Sequence, residues 1–220
     1  MKVSRRAVIL AAGDFPRKPY PQYLLESADV ILCCDSAAAA FRRHFGDSRM
    51  PDAVIGDMDS IADSVRQLYA DRIVTVSEQD DNDLTKALTY LLDHFTNIEE
   101  ITILGATGKR EDHTVGNLSL LMEYARTRGI DGFSSPSVRM ISDYSEAFAI
   151  LDSCTFFVGQ GRRISIFSPD NSLRIKSQGL EWPLDKVVWD NWWKATLNRT
   201  VADAVTLTFS HPSLALIILA

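Results

Sequence analysis

Short unbroken apolar runs alternate with helical stripes through the first half of the chain. Ala7 to Ala12 is one continuous apolar run, and a loop through Pro16, Pro19 and Pro21 follows it. Asp29 to Cys34 is a second run, Asp52 to Ile55 a third, Arg72 to Val76 a fourth and Ile101 to Leu104 a fifth. Ala37 to Phe45 reads as a helix, with Ala37, Ala40, Phe41 and Phe45 on one face. Leu84, Ala87, Leu88, Leu91, Leu92 and Phe95 form the clearest helical stripe. A further helix is predicted from about Asp112 to Arg128, with Val115, Leu118, Leu121, Met122 and Ala125 inward and Gly129 ending it. Strands that read as continuous apolar runs, alternating with helices, predict a parallel sheet covered on both faces.

The pattern changes after about Ser134. Val138–Ile141, Ala147–Leu151, Thr155–Val158, Arg163–Phe167, Leu173–Ile175 and Val205–Phe209 are short strand-like runs. Gly159, Gly161, Pro169-Asp170-Asn171, Gly179 and His211-Pro212 punctuate them as turns. That spacing predicts a β-sandwich or barrel. Gly-Ile-Asp-Gly-Phe-Ser-Ser-Pro, near 130–137, has linker composition. The expected division is therefore an α/β domain over 1–133 and an all-β sandwich domain over 134–220.

Composition narrows the function classes. With 220 residues, 46% hydrophobic and 24% charged, the chain has enough apolar content for a sizeable core. A formal net charge of −6 and no long basic run argue against nucleic acid as a partner. Cys33, Cys34 and Cys154 lack the spacing of a disulfide framework or a zinc site. Lys2, Arg5 and Arg6 before Ala7–Gly13 share the layout of a short signal peptide, but Asp14 and a Pro-rich loop follow without a cleavage site. Leu214–Ala220 is far too short to span a bilayer, which takes about 20 residues. A cytoplasmic protein without a membrane partner is expected.

Three polar loops carry candidate chemistry, each after a predicted strand. In Gly56-Asp57-Met58-Asp59-Ser60, two carboxylates two residues apart suit a hard cation such as Mg²⁺, while Asp59 and Ser60 equally suit a helix cap. Asp80-Asp81-Asn82-Asp83-Leu84-Thr85-Lys86 opens the strongest helix. One cap does not need three acids and an Asn, and such acids repel one another unless a cation neutralises them. Lys86, one turn in, is placed to reach phosphate oxygens. Gly105-Ala106-Thr107-Gly108-Lys109-Arg110-Glu111-Asp112-His113 also opens a helix, and its glycine-rich backbone suits an anion. It is not a Walker A loop, because two residues rather than four separate its glycines and Arg110 follows Lys109. The planar fork of Arg110 makes it the best single phosphate ligand. His113 alone reads as structural more readily than catalytic, and Asn117 faces either the loop or solvent. Two acidic loops and one basic one at strand ends are what a Mg²⁺–nucleoside triphosphate site requires.

These stretches, together with Cys34-Asp35-Ser36 and Gly179 to Leu184, resemble the thiamine pyrophosphokinase family over nearly the whole chain. The resemblance implies transfer of pyrophosphate from ATP to the hydroxyethyl group of thiamine, giving thiamine diphosphate and AMP. It implies a homodimer with active sites at the subunit interface. It places Mg²⁺ on Asp57, Asp59, Asp80 and Asp83, and nucleotide contacts on Asp35, Lys86, Thr107, Gly108, Arg110, Asp112, His113 and Asn117. Asp57, Asp59, Asp83 and Arg110 would be the catalytic set.

Three positions depart from the family pattern. Ser36 and Lys109 stand where the family usually has glycine, and Leu197-Asn198 stands where it has a Ser-Asn pair. Asn198 is carried over as a thiamine contact. Trp182, or the cluster Trp189, Trp192 and Trp193, is the expected stacking face. The alternative readings are a Mg²⁺-dependent transferase using another alcohol acceptor, or a non-catalytic nucleotide- or thiamine-binding module.

Overall fold

The computed structural model describes residues 4–59, 61–76 and 81–220. The chain divides into two compact units, Met1–Asn117 with Ser135–Asp143, and Leu118–Ser134 with Tyr144–Ala220.

The first unit is built on β1 (Arg5–Leu10), β2 (Val30–Cys34), β3 (Ala53–Gly56), β4 (Ile73–Thr75), β5 (Ile98–Leu104) and β6 (Ser137–Ile141). Their spatial order is β6-β5-β1-β2-β3-β4, and every pairing is parallel. All five residues of β2 and the last four of β1 are buried, as a sheet covered on both faces requires. The connections hold α1 (Pro19–Glu26), α2 (Ala37–Phe45), α3 (Asp63–Leu68), α4 (Asp83–His94) and the start of α5 (Glu111–Arg128). Leu84, Ala87, Leu88 and Leu91 turn one stripe of α4 inward, and α4 packs against β2 and β3. Asn82 caps that helix, its Oδ1 accepting from Thr85 N at 2.9 Å.

The Pro-rich segment read as a loop contains α1. Proline sits in its first turn, where no intrahelical N–H bond is lost. In α5, Val115 is 54% exposed rather than inward, and the buried face is Leu121, Tyr124 and Ala125. Val115 is exposed because its part of the helix is uncovered: no residue from Glu111 to Leu120 is buried.

The second unit holds β7 (Glu146–Ile150), β8 (Cys154–Phe157), β9 (Arg163–Phe167), β10 (Ile175–Gln178), β11 (Ala195–Arg199), β12 (Ala204–Phe209) and β13 (Ala215–Leu219). They form two antiparallel arrangements, β11-β9-β13-β7 and β10-β12-β8. Phe148, Ile166 and Ile217 from the first meet Phe156, Ile175 and Val205 from the second in one core, which makes the unit a sandwich. The Leu173–Ile175 run lies earlier than the observed β10, and β11 was not foreseen.

The expected boundary at 133/134 differs from the observed division. Val138–Ile141 belongs to β6, which pairs parallel with β5 in the first unit, and residues 118–134 belong to the second.

Candidate active site

In the first unit the strand order reverses at β1, with β2 on one side and β5 on the other. Open parallel sheets bind ligands beyond the carboxyl ends of the strands at such a switch point. A cavity of about 320 Å³ lies there. It is lined by Ala11–Gly13 after β1, Cys34–Ser36 after β2, Asn82–Leu84 at the start of α4, and Ala106 and Gly108–Arg110 after β5, with His113 and Asn117 of α5.

The loops after β1 and β5 are stitched backbone to backbone. Ala11 N donates to Leu104 O at 2.8 Å, Gly13 N to Gly105 O at 2.6 Å, and Asp14 N to Thr107 O at 2.8 Å. Only glycine fits at Gly13 and Gly105. A Cβ on Gly13 would run into the Gly105 and Thr107 carbonyls, and one on Gly105 would stand 2.5 Å from the Ala11 carbonyl. Asn117 Nδ2 fastens the same floor, donating to Ala106 O at 2.8 Å.

Of five described non-glycine residues with positive φ, three lie in the loops after β2, β3 and β5: Asp35 at 40°, Met58 at 67° and Lys109 at 61°. Each such conformation costs roughly 1–2 kcal/mol for an L-residue, and strain of this kind gathers at functional sites. Asp35 is buried, and its N–H donates to Ile55 O at 2.8 Å.

The electrostatics divide the cavity. On one side the Asp83 carboxyl is pushed up, first by burial, with Lys86 pulling it down and Asp35 and Asp57 pushing it further up. Lys86 is itself buried, its Nζ donating to Val76 O at 3.3 Å. Cys34 Sγ contacts Asp83 O at 3.6 Å, and burial raises that thiol well above its ordinary value. On the other side Arg110 grips Asp112 with two donors, Nε to Oδ1 at 3.1 Å and Nη2 to Oδ2. The Arg110 pairing and the His113 N–H pull the Asp112 carboxyl down to about 2. Lys109 Nζ reaches across the mouth to Ala12 O at 2.7 Å.

The structure brings together Asp35, Asp83, Gly108, Arg110, His113 and Asn117 in one cavity lining. Asp57 is exposed but close enough to Asp83 to raise it. Asp59 is exposed, its N–H donating to Asp57 Oδ1 at 3.0 Å, and its side chain is not in the lining. The Thr107 carbonyl is committed to Asp14, and Asp112 serves Arg110 rather than lining the cavity. Asp80 lies outside the described residues. The loop after β1, which sequence reasoning missed as a lining, carries its own signal in Gly13, directly after the first apolar run.

Residues 21–131 match the family described as thiamin pyrophosphokinase, catalytic domain. The chain belongs to the thiamine pyrophosphokinase family. Residues 148–214 match the substrate-binding domain of the same family. Thiamine pyrophosphokinase 2 of Arabidopsis thaliana is 32% identical over 145 residues, which cover 57% of this chain and 54% of that protein. Thiamine pyrophosphokinase 1 of Oryza sativa subsp. japonica is 37% identical over 86 residues, covering 36% of this chain and 33% of that protein. The chain thus matches about half or less of these curated relatives' length. The fold is that of the solved thiamine pyrophosphokinase of Bacillus subtilis, with TM-score 0.77 at 20% identity, covering 98% of this chain and 99% of that one. The yeast thiamin pyrophosphokinase structure superposes with TM-score 0.78 at 16% identity, covering 100% of this chain and 88% of that one. Among the described residues no helix is long and apolar enough to cross a membrane.

Within the region matched to the substrate-binding domain, a smaller cavity of about 230 Å³ is lined by Trp182, Leu197 and Asn198 among others. Trp182 is 56% exposed, so its ring face is available. Asn198 is 4% exposed and spent on backbone: Oδ1 accepts from Trp182 N at 3.2 Å, and Nδ2 donates to Trp182 O at 2.7 Å. Leu197 has φ 60° and is largely exposed. The other tryptophans separate. Trp189 is fully buried in the sandwich core, whereas Trp192 and Trp193 are about half exposed. Trp189 thereby leaves the set of stacking candidates.

Proposed function

We propose that the chain transfers the terminal pyrophosphate of ATP to thiamine. The thiamine hydroxyl oxygen attacks the β-phosphorus of ATP, and the bond from that phosphorus to the α–β bridging oxygen breaks. AMP leaves with the bridging oxygen, thiamine diphosphate forms, and the hydroxyl proton is released. The observation that carries the reading is the switch-point cavity, with carboxylates Asp35 and Asp83 on one side and the Lys109–Arg110 cations on the other.

The donor set fits Mg²⁺. Among the described residues no group of three acidic, His or Cys side chains stands close enough to hold a metal alone. Mg²⁺ does not require one, because it is commonly held by one or two carboxylates plus substrate phosphates and water. Asp83, whose carboxyl the nearby Asp57 helps to push up, would hold it together with Asp57, and Asp59 and Asp80 are the further acids of the two sequence stretches. Bound there, it would supply positive charge against the donor phosphates. Arg110, oriented by Asp112 through Nε and Nη2, turns its remaining N–H donors to phosphate oxygens and stabilises charge on the transferred group. Lys86 neutralises the acidic side, and Asn117 fixes the loop that meets the phosphates.

Thiamine is assigned to the Trp182 face in the second unit, with Asn198 holding the backbone beneath it. A flat cationic substrate gains from an aromatic face. A homodimer, with each active site at the subunit interface, completes the reading. AMP release that depends on both thiamine and the protein tests it. Release with another alcohol but not thiamine would favour a different acceptor, and nucleotide binding without turnover a binding module.

A further inference from the structure

Lys109 occupies a position that needs explaining. Its backbone is left-handed at φ 61°, a conformation that favours glycine, yet a lysine is there. Its ammonium is aimed across the cavity mouth and donates to the Ala12 carbonyl at 2.7 Å. Both residues line the cavity. The carbonyl takes one of the ammonium's three donors and offers no opposite charge, whereas a phosphate oxygen adds the attraction between unlike charges. The neighbouring cation differs: Arg110 is already engaged with the Asp112 carboxylate.

We propose that Lys109 is a specificity-determining residue for the donor. Its ammonium leaves Ala12 O and binds the polyphosphate of the nucleotide that enters the cavity. The inference rests on the nucleotide reading above and deepens it by naming a contact that favours a triphosphate over a monophosphate. The chemistry is that of a flexible point charge, whose gain rises with the charge of the phosphate chain. The ammonium exchanges its Ala12 contact for a phosphate contact, so it keeps an oxygen acceptor in both states. AMP, lacking the outer phosphates, gains little from the ammonium, and product release is not slowed by it.

The test uses the whole protein and equilibrium binding, with no turnover needed. Calorimetric titration of ATP and of AMP is carried out on the wild type, Lys109→Ala and Lys109→Arg, with thermal melting of each. Loss of one charge-assisted contact predicts about a tenfold rise in Kd for ATP in Lys109→Ala. Kd for AMP stays within about twofold, Tm is unchanged, and Lys109→Arg recovers most of the ATP affinity. The salt dependence of ATP binding also flattens in Lys109→Ala. A purely structural staple between the two loops would instead weaken ATP and AMP alike and lower Tm, and that result overturns the proposal. So does equal ATP affinity in wild type and Lys109→Ala. Failure of the transferase reading looks different: the wild type binds ATP but releases no AMP when thiamine is added.

Discussion

Asn198 exchanges hydrogen bonds with both backbone groups of Trp182, accepting from its N–H at 3.2 Å and donating to its carbonyl at 2.7 Å. The buried amide thus fixes where the half-exposed indole stands, and it accepts a third bond from Arg199 N at 2.8 Å. Asn198→Ala should leave these backbone groups unpaired and cost about 1–3 kcal/mol. At about 2–4 °C per kcal/mol for a chain of this size, a fall of several degrees in Tm is expected. Asn198→Asp keeps the acceptor and loses the donor, so it should fall between the two. Calorimetric melting checks the order, and an unchanged Tm in Asn198→Ala would refute the fixing role.

The tryptophans should separate by phenotype. Trp182→Ala is expected to raise KM for thiamine several-fold and leave KM for ATP unchanged, because cation–π and stacking contacts are worth about 0.5–2 kcal/mol. Trp189→Ala, by contrast, empties a fully buried site and should cost about 3–5 kcal/mol of stability. Steady-state kinetics beside thermal melts distinguish the two.

Arg110→Lys should lower kcat/KM about 10²-fold despite keeping the charge, in line with losing a charge-stabilising donor. A point charge cannot reproduce a planar fork, whether its partner is Asp112 or a phosphate. A variant within twofold of wild type would show that Arg110 does not meet the transferred group.

Turnover should vanish in excess chelator and return with added Mg²⁺. Asp57→Asn and Asp83→Asn should each reduce it about 10²-fold or more. Asp83→Asn also removes a carboxylate that burial and the neighbours Asp35 and Asp57 make costly to ionise. Its Tm should therefore hold or rise while activity falls, and a melt run beside the assay measures both.

Acid stability should depend on Asp170. Its carboxylate accepts from Ser172 Oγ at 2.6 Å and Ser213 Oγ at 2.8 Å and pairs with His211 Nε2 at 2.9 Å. These contacts, the Ser172 bond foremost, hold its pKa far below the ordinary carboxylate range. A carboxyl with a depressed folded pKa contributes stability that is fully present above its unfolded value, near 3.9 for Asp, and is lost as pH falls toward the folded value. Asp170→Asn should thus be less stable than wild type at pH 6, and the gap should narrow below about pH 4. Denaturant melts at both pH values measure it; a gap that widens in acid would contradict the assignment.

The parallel half was legible because its strands are buried on both faces and so appear as unbroken apolar runs, as in Val30–Cys34. The α4 stripe was equally plain, but its Asn82 cap was hidden among the neighbouring acids. Other features depend on partners distant in sequence. Pro19 and Pro21 hid α1, since the same residues mark loops and first turns. Val138–Ile141 looks like any sandwich strand, and only its pairing with β5 assigns it to the first unit. Ala195–Arg199 has too few apolar residues to announce a strand, and it is held by pairing with β9. At the site, residue types located the three loops after β3, β4 and β5, but not which side chains turn inward. Asp83 faces the cavity and Asp59 does not, although each stands two residues after another aspartate.

The placement of β6 bears on how the chain is made. Synthesis runs from the N-terminus, so β5 emerges with one neighbour, β1, and no strand on its other side. Its second partner, Ser137–Ile141, follows only after α5 and residues 129–136 have been added. Throughout that interval the nascent chain presents an open, apolar strand edge carrying Ile101 and Ile103, the kind of surface that recruits foreign strands. The first unit therefore cannot complete its sheet on the ribosome until the polypeptide has passed through a stretch belonging to the second.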